Sequence, residues 1–326
     1  MDWKDIQILA AERLVWIIVF MSYAFFIFLN PGLFLNPFRI FKILDNRAAV
    51  GVIAVAQGLC LLSGSMDLSL PGIGGMAGAT VIAVGSYIGF TGWAGVLLIF
   101  LPIILGALLG FFNGFVITKS GIHPFLITLA SLLMFQGARQ RIWYEGKGIF
   151  SGPVVFPGGG TIFGEIPFSV VLLVGITMAL WVLLRWTNIG VRIYAIGENV
   201  KASELMGIDS GYNILFVHVM AGAISGLGGL LYLGNNMGYE PLMLEGTIFM
   251  VFAMAVIGGI SLQGGRGNIE DVIAGVLFIG IVYVGLNMGL NINPHVIDMI
   301  IGIFIILGVI INSFRLDLRD RLLMSS

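Results

Sequence analysis

Residues 93–118 read Trp-Ala-Gly-Val-Leu-Leu-Ile-Phe-Leu-Pro-Ile-Ile-Leu-Gly-Ala-Leu-Leu-Gly-Phe-Phe-Asn-Gly-Phe-Val-Ile-Thr, without one charged side chain. A helix needs about 20 mainly apolar residues to cross the hydrocarbon core of a bilayer, and this run exceeds that length. Within it Gly106, Gly110 and Gly114 recur every fourth residue and so share one helix face. Lipid supplies no hydrophobic drive for helices to associate, so a stripe of small residues marks where another helix comes close.

The same test along the chain gives ten candidate spans, near 14–30, 47–64, 72–92, 93–118, 122–137, 167–186, 211–234, 247–263, 271–289 and 295–313. The third, fifth and eighth are short or broken by glycine, a pattern common in transporters. The expected fold is an all-α polytopic membrane protein of about ten transmembrane helices, a single domain over residues 1–326. Composition agrees: 58% of residues are hydrophobic and 10% charged, against roughly 45–50% apolar and about 25% charged in a soluble domain. Sixteen Lys plus Arg against 17 Asp plus Glu leave no basic field for nucleic acid. A single cysteine, Cys60, rules out an internal disulfide and a thiolate metal cluster. The first span is followed by Asn30-Pro31-Gly32 rather than a small-residue cleavage site, so it reads as retained.

Lys and Arg in short loops set orientation. With the N-terminus inside, Lys4, Arg13, Lys119, Arg185, Arg192, Lys201, Arg266, Arg315, Arg319 and Arg321 are cytoplasmic, and Arg39, Lys42, Arg47, Arg139, Arg141 and Lys147 lie outside. Both termini are then cytoplasmic, and residues 138–166 form an extracytoplasmic loop. The inside segment 187–210 contains a glycine-free stretch from Asn199 to Met206 that predicts a short helix, with Asn199 as N-cap and Gly207 as its stop. Glu198, Lys201 and Glu204 follow at three-residue spacing and are expected on one face.

An offset of 200 residues aligns Gly58, Leu62, Gly64, Ile73, Gly75, Val84, Gly85 and Gly89 with identical residues, which is either an internal duplication or a consequence of composition. Gly222-x3-Gly226 and Gly285-x3-Gly289 repeat the packing spacing, read as plain helix packing or as a sliding surface. Gly72-x-Gly74-x2-Ala77 matches a dinucleotide fingerprint only formally, having no strand before it. No Gly-Lys-[Ser/Thr] triplet exists, so no ATP hydrolysis and no bound cofactor or metal are expected of this chain.

Ionisable residues within the apolar runs reduce to Asp67, His218 and Asp298, the raw material of a relay or of ordinary packing. Asp298 follows Asn293-Pro294 and fits the first turn of a helix. Gln57, Asn113, Thr128, Ser131, Gln136, Ser225 and Asn287 interrupt the spans. Unpaired amides are costly in hydrocarbon, so these side chains either bond between helices or line a wet pathway suited to a neutral hydroxylated solute.

Three segments together resemble the permease subunits of ribose, xylose and arabinose-type bacterial ABC importers. Leu61-Leu62-Ser63-Gly64-Ser65-Met66-Asp67-Leu68-Ser69 is similar to the family's Ser-Gly-Gly-Ile-Asp-Leu-Ser signature. Tyr194-Ala195-Ile196-Gly197-Glu198-Asn199, through Ala202 to Leu205-Met206-Gly207-Ile208, is similar to its cytoplasmic Gly-Gly-Asn-Glu-Ala-Ala segment. Val256-Ile257-Gly258-Gly259-Ile260-Ser261-Leu262-Gln263-Gly264-Gly265-Arg266-Gly267 is similar to its Gly-Gly-Thr-Ser-Leu-x-Gly-Gly-x-Gly.

The resemblance implies a type II importer permease in a bacterial plasma membrane that translocates a monosaccharide or similar solute by alternating access. It implies a second permease copy or paralogue, a cytoplasmic ATPase that holds ATP and Mg, and an extracytoplasmic solute-binding protein. Glu198, Asn199, Lys201, Ala202, Glu204 and Gly207 would couple to the ATPase, and Gln57, Asn113, Thr128, Ser131, Gln136 and Asn287 would line the pathway. Ser63, Gly64, Asp67, Ser69, Gly258, Gly259, Gly264 and Gly265 are the signature or gate positions. Asp67 reads either as a cap at the start of the third span, helped by Ser65 or Ser69, or as part of a gate or a contact with the ATPase, and Arg266 reads as a topology anchor rather than a catalytic group. Departures from the family pattern are Val200 and Glu204 in the coupling segment, Leu70-Pro71 after the first signature and Glu270-Asp271 after the third. Rival readings keep the machine but change the cargo to a nucleoside, a signalling furanose or a branched-chain amino acid, or replace it with an ion-coupled transporter or a membrane scaffold.

Overall fold

The computed structural model describes residues 3–36, 38–149, 151–293, 295–308 and 310, with side chains from residue 14 onward. The basic cluster Arg315, Arg319 and Arg321 and the side chains of Lys4 and Arg13 lie outside the described residues. The helices in chain order are α1 (Trp3–Leu29), α2 (Phe38–Leu62), α3 (Leu70–Ile88), α4 (Gly92–Ser120), α5 (Pro124–Ile142) and α6 (Phe168–Trp186). They continue with α7 (Asn188–Glu198), α8 (Val200–Leu205), α9 (Ser210–Asn235), α10 (Ile248–Ile257), α11 (Val272–Val284) and α12 (His295–Gly308). A 3-10 turn over Ile269–Asp271 leads into α11, and a π-helical turn over Gly285–Gly289 follows it.

Among the described residues, six helices are long and apolar enough to cross a membrane: α2, α3, α4, α6, α9 and the 269–289 stretch around α11. The expected ten spans all contain helix; the other four are shorter or more polar over the described residues. The apolar parts of α1 and α12 cover 14–29 and 295–308, and α10 has 10 residues because the helix stops at the Gly258-Gly259 turn. α5 carries Gln136, Arg139, Gln140 and Arg141 in its second half, which dilutes its apolar character. α2 begins nine residues before its apolar core, at Phe38, so the helix includes Asp45 and Arg47.

The glycine stripe of α4 meets that of α9. A Cβ on Gly106 would collide with the Gly222 carbonyl, one on Gly110 with the His218 carbonyl, and one on Gly226 with the Pro102 carbonyl. The two helices therefore run antiparallel at backbone contact, with small residues serving the packing role predicted from their spacing. Gly285-x3-Gly289 is a correction: a Cβ on Gly285 would strike the Phe26 ring, but one on Gly289 would meet nothing within 4 Å, because the π-turn rotates it off the packing face. α3 lies along α9 in the same direction, since Gly74 sits against Ser225 and Gly229, and Gly78 against Leu233. The formal fingerprint at Gly72-x-Gly74 is thus helix packing.

Residues 63–69, α7, α8 and residues 258–268 gather at one end of the bundle. The opposite end carries the 143–167 connection, where Lys147–Gly148 (β1) pairs antiparallel with Gly238–Tyr239 (β4), and Thr161–Ile162 (β2) pairs with Ile166–Pro167 (β3). The 200-residue offset maps one helix–glycine turn–helix onto another, with Gly64 at φ +72° and Gly264 at φ +92° in equivalent left-handed positions.

Candidate functional site: a glycine junction above a buried polar core

The three signature segments converge. Gly265 N–H donates to the Leu62 carbonyl at 3.0 Å, joining the 256–267 segment to the end of α2. Gly197, near the end of α7, fits against the same point: a Cβ there would collide with the Leu62 carbonyl and the Gly265 nitrogen. Gly264 closes the cluster, since a Cβ on it would lie 2.9 Å from the Gly64 Cα and 2.6 Å from the Gly197 carbonyl oxygen. Polar contacts tighten it. Arg266 Nη2 and Nε donate to the Glu198 carboxylate at 2.8 and 3.2 Å, and Tyr194 Oη donates to the Gly267 carbonyl at 2.9 Å. Burial, then the Glu270 carboxylate, pushes the Tyr194 phenol up to about 12, so this hydroxyl remains a neutral donor. Arg266, expected only as a topology anchor, is a structural clamp on α7.

The expected short helix is α8, with the predicted cap: Asn199 Oδ1 accepts from Ala202 N–H at 3.0 Å. At its other end Gly207 takes φ +82°, Gly207 N–H bonds to the Glu204 carbonyl at 2.9 Å and Ile208 N–H to the Ser203 carbonyl at 3.0 Å, a Schellman ending. The shared face of Glu198, Lys201 and Glu204 is corrected. Asn199 is extended at φ −160°, so Glu198 belongs to α7 and turns to Arg266, while Glu204 accepts from the Ser210 hydroxyl. Lys201 and Ala202 stay exposed.

Behind the junction, residues 63–69 fold back into the bundle around Asp67, which is wholly buried. Its Oδ1 accepts from Ser69 N–H at 2.8 Å and Ser69 Oγ at 2.6 Å, and its Oδ2 is 2.9 Å from His218 Nδ1. The other ring nitrogen of His218 is hydrogen-bonded to Ser65 Oγ at 2.7 Å. Asn113 Nδ2 donates to Ser69 Oγ at 2.7 Å, Leu68 N–H donates to Thr128 Oγ1 at 3.1 Å, and the Ser225 hydroxyl donates to the Leu70 carbonyl. Asp67 therefore does not cap α3 itself; it braces the turn before Ser69, the N-cap residue, against α9. Ser65 helps His218 instead of a cap. Ser63 Oγ turns back onto the Cys60 carbonyl of α2 at 2.8 Å. Gly258 and Gly259 make the turn after α10, where a Cβ on Gly258 would press within 2.7 Å of the Asp271 carbonyl.

Of the expected pathway residues, Asn113 and Thr128 join this core. Ser131 is buried near Thr128 on α5, Gln57 is buried on α2 with neither amide atom hydrogen-bonded, Gln136 is half-buried farther along α5, and Asn287 is half-buried in the π-helical turn. The six do not form one cluster. Asp298 sits exposed near the start of α12, where His295 N–H bonds to Asn293 Oδ1 at 2.9 Å. Asp271 explains a family departure: it accepts from Trp16 Nε1 at 2.8 Å and from Asn268 Nδ2 at 3.0 Å, tying α1 to the foot of α11.

Two charged clusters at the opposite end escaped the sequence reading. Asp45, buried in α2, accepts from Ser169 Oγ at 2.7 Å and Asn235 Nδ2 at 3.2 Å and pairs with Lys42 at 2.8 Å. Arg139, 1% exposed, donates to the Met243 carbonyl at 2.7 Å and to Glu245 at 2.6 Å. Arg139 falls in the 138–166 stretch expected as an extracytoplasmic loop, but α5 continues to Ile142 and carries it into the bundle.

Comparison with known proteins supplies the remaining context. The family described as the permease component of branched-chain amino acid transport systems matches residues 39–309. The chain is 34% identical over 289 residues to a ribose import permease protein of Bacillus subtilis, covering 87% of each chain. It is 28% identical over 307 residues to a fructose import permease protein of Rhizobium meliloti, covering 91% of this chain and 84% of that one. It is 29% identical over 294 residues to a D-allose transport system permease protein of Escherichia coli, covering 89% and 86%. No solved structure matches the chain. With the matched region running from the start of α2 to the end of α12, and with all three signature segments inside it, the chain belongs to the permease component family of branched-chain amino acid transport systems.

Proposed function

We propose that this chain is the membrane permease of an ATP-driven importer that carries a monosaccharide or similar small hydroxylated solute by alternating access. The observation that carries the reading is the convergence of three distant segments at Leu62, Gly197 and Gly265, at the end of the bundle where α7 and α8 project. α7 is seated there against the end of α2 and the turn that follows α10. The similarity over most of the chain to ribose, fructose and allose permeases supports a sugar as cargo.

In this reading the junction faces the cytoplasm of a bacterial cell, both termini lie on that side, and the 143–167 connection faces outward. A separate ATPase, holding ATP and Mg, engages α7 and α8; a second permease copy or paralogue completes the passage; and an extracytoplasmic binding protein delivers the solute. α8, capped at both ends, acts as a stiff lever. Closure of the ATPase shifts α7, and the backbone contacts at Gly197 pass the shift to residues 62–69 and 264–267. Because Asp67 ties that first loop to α9 through His218, the movement reaches the α4–α9 pair, the bistable repacking that alternating access requires. The chain itself performs no chemistry on the solute. Hydroxyls and amides at Asn113, Thr128 and Ser131 offer donors and acceptors without trapping charge.

The test is solute binding and uptake by the permease with its ATPase and binding protein. Competition among ribose, fructose, allose, a nucleoside and leucine is expected to favour a sugar. Leucine-selective uptake would move the cargo to an amino acid and leave the machine intact.

A further inference from the structure

Residues 240–246 enter the bundle from the end opposite the junction without forming a helix, between β4 and α10. Met243 and Leu244 are 1% and 3% exposed. They seat on a face of α3 cleared by glycines: a Cβ on Gly78 would lie 2.7 Å from Met243 Sδ, and one on Gly74 would lie 2.9 Å from Leu244 Cδ1. Gly75 makes room for the arginine, since its Cβ would lie 3.0 Å from Arg139 Nη1 and 3.2 Å from the Met243 carbonyl oxygen. Leu244 tips in beside Gly74, which itself abuts the Ser225 carbonyl. Ser225 is seven residues along α9 from His218, about 10 Å at helical rise, so the segment stands directly over the Asp67–His218 core.

The segment is closed but not relaxed. Leu244 has φ +62°, a left-handed conformation that costs a branched side chain about 1–2 kcal/mol. Arg139, buried to 1% exposure, leaves its Nε without a hydrogen-bond partner, and its ionic partner, Glu245, is 42% exposed at the side chain. A strained loop residue and an incompletely satisfied buried cation describe an arrangement held by a latch that solvent can reach.

Resting on the importer reading, we propose that residues 240–246 are a plug that closes the passage on the solute-entry side, with Arg139 as its latch through the Met243 carbonyl and Glu245. Withdrawal would expose Met243 and Leu244, relieve Leu244 and open the face of α3 lined by Gly74, Gly75 and Gly78 to a solute.

The test is thiol labelling of the full-length permease in lipid nanodiscs, using Met243→Cys and a charged methanethiosulfonate reagent, with the unmutated chain reporting background from buried Cys60. Met243→Cys is expected to label slowly. Adding Glu245→Gln or Arg139→Gln is expected to speed labelling about tenfold, a shift of ~1.4 kcal/mol toward the open plug. Glu245→Gln keeps a hydrogen-bond acceptor at a half-exposed position and guards against an Arg139 variant that fails to fold. Fast labelling of Met243→Cys with the latch intact, or no acceleration in a folded Glu245→Gln variant, would overturn the proposal. This arm needs neither ATP nor solute. In a second arm with the ATPase and binding protein present, ATP turnover is expected to accelerate labelling. Uptake without acceleration would sink the plug and leave the importer; absence of uptake with latch-dependent labelling would sink the importer reading alone.

Discussion

Gly265 N–H donates a hydrogen bond to the carbonyl oxygen of Leu62 at 3.0 Å, across a separation of more than 200 residues. That contact leaves no room for a side chain at Gly197, which lies against both atoms. Gly197→Ala is therefore expected to force the junction apart and cost about 1–3 kcal/mol by overpacking. Gly175→Ala, whose Cβ would meet nothing within 4 Å, is expected to be neutral or to stabilise α6 by up to ~1 kcal/mol. Thermal unfolding in detergent compares the two.

The Glu198–Arg266 pair is half-exposed at both partners, 52% and 37%, so it contributes roughly 0–1 kcal/mol. Its use is orientation of α7. Glu198→Arg is expected to leave the unfolding midpoint nearly unchanged while lowering ATP-driven uptake, and Glu198→Arg combined with Arg266→Glu is expected to recover part of it. Equal uptake in all three proteins would remove the pair from coupling.

Asp67 and His218 are both fully buried, so breaking their contact leaves an uncompensated partner. Asp67→Ala is expected to cost about 3–5 kcal/mol, and Asp67→Asn, which keeps an acceptor for Ser69, is expected to cost less. Chemical denaturation in detergent orders the two variants. Asp298, exposed on α12, is expected to tolerate Asn with normal uptake, whereas loss of uptake at Asp298→Asn would revive an ion-coupled mechanism.

The α4–α9 contact is set by backbone carbonyls against glycines rather than by side chains. Gly222→Leu would drive a side chain into the Gly106 carbonyl and Gly110 backbone and is expected to abolish folding, while Gly289→Ala is expected to fold normally. Yield of monodisperse protein after size exclusion separates them.

What was legible in the sequence follows from how local each signal is. The 93–118 span, the Gly106-Gly110-Gly114 stripe and the Asn199 cap depend on neighbours a few residues away, and each is present. Six of the ten expected spans are long and apolar enough among the described residues; apolar length alone does not register the Gly258-Gly259 turn that ends α10 or the charges of α5. Glu198 was assigned to the wrong helix because one extended residue, Asn199, breaks the periodicity on which a shared face depends. His218 with Ser65, and Arg139 with Met243 and Glu245, join residues about 100 or more positions apart. Such pairings are decided by which helices meet, so a single sequence shows the polar residue and not its partner. Gly64, Gly197 and Gly265 stood within motifs, but only packing reveals that they touch one another.

The central claim is that movement at α7 and α8, driven by a partner that hydrolyses ATP, opens this bundle to a sugar. The most direct measurement is uptake of labelled sugar into lipid vesicles holding this permease, its ATPase and its binding protein, with and without ATP on the side of α8. The account predicts uptake that requires ATP and the assembled complex and that falls when Gly197 is replaced. Sugar uptake at full rate without ATP, or failure of the ATPase to associate with the permease, would contradict it.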